Sequence, residues 1–110
     1  MSFNSMDDKY GRQDSRDKIN ISRVTVSGTS PIPVPSASLG RRNYIKIKNV
    51  GSVDVSLVTA SGSEASDGYI ITGNGGEWED TTDASFYIVS TTGASSDISV
   101  YERSSRFNYK

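Results

Sequence analysis

The 110 residues carry 12 Lys and Arg against 13 Asp and Glu, a formal charge of −1, so no overall field draws the chain to nucleic acid. With neither His nor Cys, Ser-His-Asp and Cys-His catalysis, disulfide frameworks and nearly all zinc sites are excluded. No apolar run is long enough to span a bilayer, and Met1–Asp8 has neither the basic nor the apolar region of a secretory signal, so the expectation is synthesis in a cytoplasm and no membrane partner.

Residues 1–20 read as an N-terminal arm. Asp7, Asp8, Asp14 and Asp17 interleave with Lys9, Arg12, Arg16 and Lys18, and the apolar residues are sparse. Such a segment buries too little to offset its ordering entropy and is expected to order only on a partner, with Phe3, Met6 and Tyr10 as anchors. Removing the arm leaves a folding unit of about 80–90 residues, where core burial is marginal. With no disulfide or thiolate metal site to add stability, a homo-oligomer is expected.

A first strand is expected over Ile21–Ser27. Val24 and Val26 share one face while Ile19 and Ile21 fall on the other, which a bulge or a strand crossing near Arg23 would reconcile. Pro31, Pro33 and Pro35 remove alternate backbone donors, so that stretch is an edge-covering segment with Ile32 and Val34 turned inward. Arg41 and Arg42 form the one paired basic site. They read as a solvated edge and, beyond that, as candidate partner contacts.

The sequence is organised around residues 41–58. Ile45 and Ile47 alternate with Tyr44, Lys46 and Lys48, and Val53, Val55 and Leu57 alternate with Asp54 and Ser56. Period-two alternation marks half-buried antiparallel strands. Asn49-Val50-Gly51-Ser52 supplies turn chemistry between them, predicting a hairpin. The small residues of 59–68 predict a mobile loop.

Tyr69–Thr72 and Glu77–Glu79 read as two further strands joined by Gly73-Asn74-Gly75-Gly76 as a hairpin loop, with Trp78 facing the core. A phosphate cradle would need a helix after these glycines, and an acidic run follows instead. Glu77, Glu79, Asp80 and Asp83 are the densest carboxylate group. Without calcium-loop spacing they read as a charged edge that deters strand pairing.

Ala84–Ser90 carries Phe86 and Ile88 on one face and Tyr87 and Val89 on the other. A strand apolar on both sides is central or covered. It predicts self-association through Tyr87 and Val89, most simply as a closed trimer. After a loop at 91–96, Asp97–Glu102 alternates with Ile98 and Val100 inside. Residues 103–110 form a polar tail whose Phe107 and Tyr109 are candidate contacts with a neighbour.

Six or seven short strands with no helical period predict an all-β antiparallel sandwich or barrel over residues 21–102. The expected core is Ile45, Ile47, Val53, Val55, Leu57, Ile71, Trp78, Phe86, Ile88, Ile98 and Val100. Nothing in the pattern supplies an active site or a cofactor site.

The runs Arg41-Arg42-Asn43-Tyr44-Ile45-Lys46-Ile47-Lys48-Asn49-Val50-Gly51-Ser52-Val53-Asp54-Val55, Gly68–Ile71, Ser85–Ser90 and Asp97–Glu102 resemble small all-β virion proteins of tailed bacteriophages. That resemblance implies a structural part of a virion: a capsid decoration or cement protein, or a neck or tail accessory, binding other virion proteins and carrying no catalytic residues. The alternative from the residues is a tail-associated carbohydrate or receptor-binding module, with Trp78, Tyr69, Tyr87 and Tyr101 as stacking surfaces.

Overall fold

The computed structural model describes residues 17–35, 39 and 41–105. They form eight strands: β1 (Asp17–Val26), β2 (Ile32–Val34), β3 (Tyr44–Asn49), β4 (Val55–Val58), β5 (Tyr69–Ile71), β6 (Gly76–Asp80), β7 (Phe86–Ser90) and β8 (Ser96–Ser105). One short 3₁₀ turn, Ala65–Asp67, lies between β4 and β5. Two antiparallel sheets result, in the orders β1-β8-β3-β6 and β2-β7-β4-β5. This is the strand order of an eight-stranded jelly roll, a closed-packed pair of Greek keys.

The all-β sandwich expected from the alternation is present, with one strand more than predicted. The extra strand is β2, in the proline-rich stretch. Among the described residues its backbone pairs with β7 on one side only, which is where a strand containing Pro33 can sit.

Strand phase follows the sequence closely. Ile45, Ile47, Val55, Ile71, Ile88, Ile98 and Val100 are essentially inaccessible, and Val24, Val26, Val34 and Leu57 join them in one cluster. Trp78 and Phe86 are half-buried against that cluster, their rings edge to face with centroids 5.0 Å apart. Because Trp78 is on β6 and Phe86 on β7, this contact ties one sheet to the other. Val53 is the exception: it precedes β4 and is only half-buried.

Strand partners differ from the expected hairpins. β3 and β4 lie in different sheets, as do β5 and β6, and β7 and β8. The turn-forming residues between them carry the chain across the sandwich. Asn49 shows why. Its buried side chain donates to the carbonyls of Val53 (2.7 Å) and Ile71 (3.1 Å), and accepts from the Ser96 hydroxyl (2.7 Å) and the Gly51 N–H (3.2 Å). A fully satisfied buried amide fixes the crossing path. Gly51 then runs so close to Ser96 and Asp97 that a Cβ would meet the Ser96 hydroxyl and lie 2.7 Å from the Asp97 nitrogen.

β1 contains no bulge. Its ten residues pair in unbroken register with β8, from Asp17 opposite Ser105 to Val26 opposite Ser96. The two apolar phases are therefore both real: Val24 and Val26 point into the sandwich, while Ile19 and Ile21 stand outside, 56% and 69% exposed. The sheet also begins four residues earlier and ends three later than the predicted domain limits of 21 and 102.

Segment 59–68 is more than a loop. The Asp67 carboxylate accepts the Glu64 N–H at 2.8 Å, and the 3₁₀ turn packs against β4. Gly68 lies against Leu57 O, Ser56 Oγ and Val58 Cγ1. This covers the outer side of β4, where Ser56 and Val58 are buried, and leaves Ile70 of β5 43% exposed. Val89 pairs with Ser56, shares a hollow with Glu64, Ala65 and Ser66, and is buried too. On the two-sided strand, Val89 is thus buried within the chain and Tyr87 is half-buried.

Candidate functional site: the outer face of the first sheet

Alternation places Tyr44, Lys46 and Lys48 of β3, Ser99, Tyr101 and Arg103 of β8, and Ile19, Ile21 and Arg23 of β1 on the solvent side of the first sheet. Register sets them in rows: Ile19, Arg103 and Tyr44; then Ile21, Tyr101, Lys46 and Glu79; then Arg23, Ser99, Lys48 and Glu77. The middle of this face is aromatic. Tyr44 and Tyr101 meet edge to face at 6.0 Å and 74°. The Arg103 guanidinium sits 4.9 Å from the Tyr44 ring centre, a cation–π distance. Tyr44, Lys46, Tyr101 and Arg103 line a shallow open hollow there.

Toward β6 the face becomes ionic. Lys46 bridges Glu77 (3.3 Å) and Glu79 (3.9 Å), and Lys48 bridges Glu77 (3.8 Å). The hydrogen bond to Glu77 and its charge, with Glu79 helping, raise the Lys46 ammonium above its ordinary value. The Tyr44 phenol is also raised, first by burial and then by the charge and hydrogen bond of Glu79. These pairs are exposed and contribute little each. They organise the face rather than stabilise the fold. Two carboxylates of the acidic group are thereby engaged with lysines, and Asp80 accepts the N–H of Thr81. Among the described residues, no group of three carboxylates is placed to hold a metal.

The end of the sandwich nearest this face is closed by a buried ion pair that the sequence reading missed. Arg42 Nη1 lies 2.8 Å from Glu102 Oε2, both side chains almost wholly out of solvent. Glu102 Oε1 accepts the Leu39 N–H (3.0 Å) and the Asn20 amide (3.1 Å). Arg42 donates through Nε to Thr82 O (3.2 Å) and through Nη2 to Ala84 O. The pair fastens the β2–β3 and β6–β7 connections to β8 and β1. The signal for Glu102 was in the alternation, since Ile98, Val100 and Glu102 share one phase.

The predicted contact residues separate accordingly. Arg42 and Val89 are buried and therefore structural, not partner-binding. Tyr87 is half-buried, and Arg41 is exposed in a left-handed conformation at φ 58°. Phe3, Met6, Tyr10, Phe107 and Tyr109 lie outside the described residues. Sequence reasoning overlooked Ile19, Ile21, Tyr44 and Arg103 as a joint surface, because only the β1–β8–β3 register brings them together. Comparison with known protein families, with characterised proteins and with solved structures gives no match.

Proposed function

We propose that this chain is a structural virion protein that works by binding other virion proteins, as a capsid decoration or cement protein or as a head-neck accessory. The observation that carries the reading is the outer face of the first sheet. It concentrates Tyr44, Tyr101 and Arg103 beside exposed Ile19 and Ile21. Aromatic residues and arginine are the side chains enriched at protein–protein contacts. A shallow hollow of this kind suits a protein surface better than a small molecule, which binds in enclosed clefts. The jelly-roll order agrees, since viral capsid domains are built on it; that support is by analogy of fold.

In this reading the domain presents the aromatic face, and the N-terminal arm adds Phe3, Met6 and Tyr10 as apolar contacts. The chemistry is non-enzymatic and needs no cofactor. Self-association belongs to the reading too, with its surface moved away from β7. A sugar-binding role is less well supported. Of its stacking candidates Trp78 is packed on Phe86, Tyr101 meets Tyr44 edge to face and Tyr87 is half-buried, which leaves only Tyr69 exposed among the described residues.

The test is incorporation. Particles purified from lysates of the producing cells are analysed by mass spectrometry for the wild-type chain and for Tyr101→Ala/Arg103→Glu. The expected result is a fixed copy number of the wild type per particle and loss of the variant. A wild-type chain found only free of particles would overturn the proposal, and specific retention on a glycan array would replace it with the sugar-binding reading.

A further inference from the structure

The four edge strands of the sandwich are not alike. β2 has three residues with Pro33 inside it and Pro31 and Pro35 beside it. β5 has three residues, and β6 has five with Glu77, Glu79 and Asp80 among them. Shortness, proline and like charge are the devices that keep a sheet edge from pairing with another chain. β1 lacks them: it has ten residues and no proline, and it exposes Ile19 and Ile21. Among the described residues its backbone pairs with β8 alone.

The sequence of β1 is self-complementary when run against itself. In an antiparallel pair centred on Asn20, partner positions sum to a constant. Ile19 then opposes Ile21 of the second copy, Ile21 opposes Ile19, and Arg23 opposes the acidic position 17. A register centred on Ile21 sets Ile19 against Arg23. One centred on Ile19 sets position 17 against Ile21. Only the Asn20 register matches apolar with apolar and positive with negative, the pairings that stabilise neighbouring strands.

We propose that β1 is the edge through which two copies of this chain join, antiparallel about a two-fold axis at Asn20. The axis stands perpendicular to the sheet. The two first sheets become one continuous eight-stranded sheet with both aromatic faces on the same side. The contact is isologous and closes on itself, so it yields a dimer and no filament. Main-chain hydrogen bonds supply the pairing, and the isoleucines set the register. This inference is independent of the virion reading, since it concerns the isolated chain.

The experiment uses the full chain. Sedimentation velocity of the wild type at micromolar concentrations is expected to give twice the 11.9 kDa chain mass. The natural sequence has no Cys, so introduced thiols are unique. Oxidising a mixture of Ile19→Cys and Ile21→Cys is expected to give several-fold more covalent dimer than either variant alone. Arg23→Asp is expected to weaken the dimer at least tenfold, and Asp17→Arg/Arg23→Asp to restore it. Circular dichroism checks that each variant keeps its β-sheet spectrum, as substitutions at exposed positions should. A monomeric or trimeric mass, no enrichment in the mixed cross-link, or an Arg23→Asp chain that dimerises as the wild type does would each overturn the proposal.

Discussion

The two sheets of this jelly roll treat their outer faces differently. Both were flagged by the same pattern, apolar residues on both phases of one strand: Tyr87 and Val89 on β7, Ile19 and Ile21 on β1. On the second sheet Ser56, Val58 and Val89 are buried and the Ala65–Asp67 turn packs against β4, while Ile70, opposite Ser56 on the edge strand, stays 43% exposed. On the first sheet nothing among the described residues covers Ile19 and Ile21, and an aromatic cluster continues the exposed surface. A second apolar phase therefore has two fates. Val89 of the second phase on the central strand β7 is buried; Ile19 and Ile21, on the long edge strand β1, stay exposed.

That contrast presumes a closed sandwich, and the largest expected effect comes from opening its end. Glu102→Ala leaves the Arg42 guanidinium buried and uncompensated, which should cost about 3–5 kcal/mol. Replacing both partners, Arg42→Met with Glu102→Leu, should recover much of that loss, because removing a buried pair together is far cheaper than breaking it. Urea denaturation of the two variants measures the difference. Equal destabilisation of both would mean that the hydrogen bonds to Thr82, Ala84, Leu39 and Asn20 matter more than the charges.

A middle-sized effect separates the two faces directly. Val89→Ala should cost about 1.5–3 kcal/mol, since a wholly buried valine is truncated. Ile21→Ser, on the open face, should change monomer stability by less than about 0.5 kcal/mol. The comparison is made by thermal unfolding at a concentration low enough to hold the chain monomeric. A costly Ile21→Ser there would show that β1 is covered within its own chain.

The smallest effect is ionic and alkaline. Lys46 and Tyr44 hold their protons more tightly folded than unfolded. Their contribution is thus complete below their ordinary values of 10.5 and 10.0 and is lost as pH rises through the folded values. The melting midpoint should fall more steeply above about pH 10 in the wild type than in Glu77→Gln/Glu79→Gln. Identical alkaline limbs would show that the acidic edge does not couple to β3.

Strand phase was legible in the sequence because alternation is local: Ile45 and Ile47 against Lys46 and Lys48 needs no knowledge of the rest of the chain. Strand partners were not legible. Asn49-Val50-Gly51-Ser52 has the composition of a hairpin turn, yet Asn49 reaches Val53, Ile71 and Ser96, and those contacts exist only once the strands from both sheets have met. The aromatic face was hidden for the same reason, since Tyr44, Tyr101 and Ile21 are far apart in sequence and adjacent only through register. Arg42 was misjudged because a doubled arginine before a strand is ordinarily solvated. Its burial depends on Glu102, sixty residues on, falling on the inward phase of β8.

Thiol accessibility most directly tests the contrast between Val89, buried within its own chain, and Ile21, exposed on the β1 edge. Ile21→Cys and Val89→Cys are made separately in a chain with no other cysteine, and labelling rates are followed under native conditions over a range of protein concentrations. Labelling at position 21 is expected to be fast in dilute solution and to slow as concentration rises, while labelling at position 89 stays slow throughout. Comparable rates at the two positions in dilute solution would contradict that contrast.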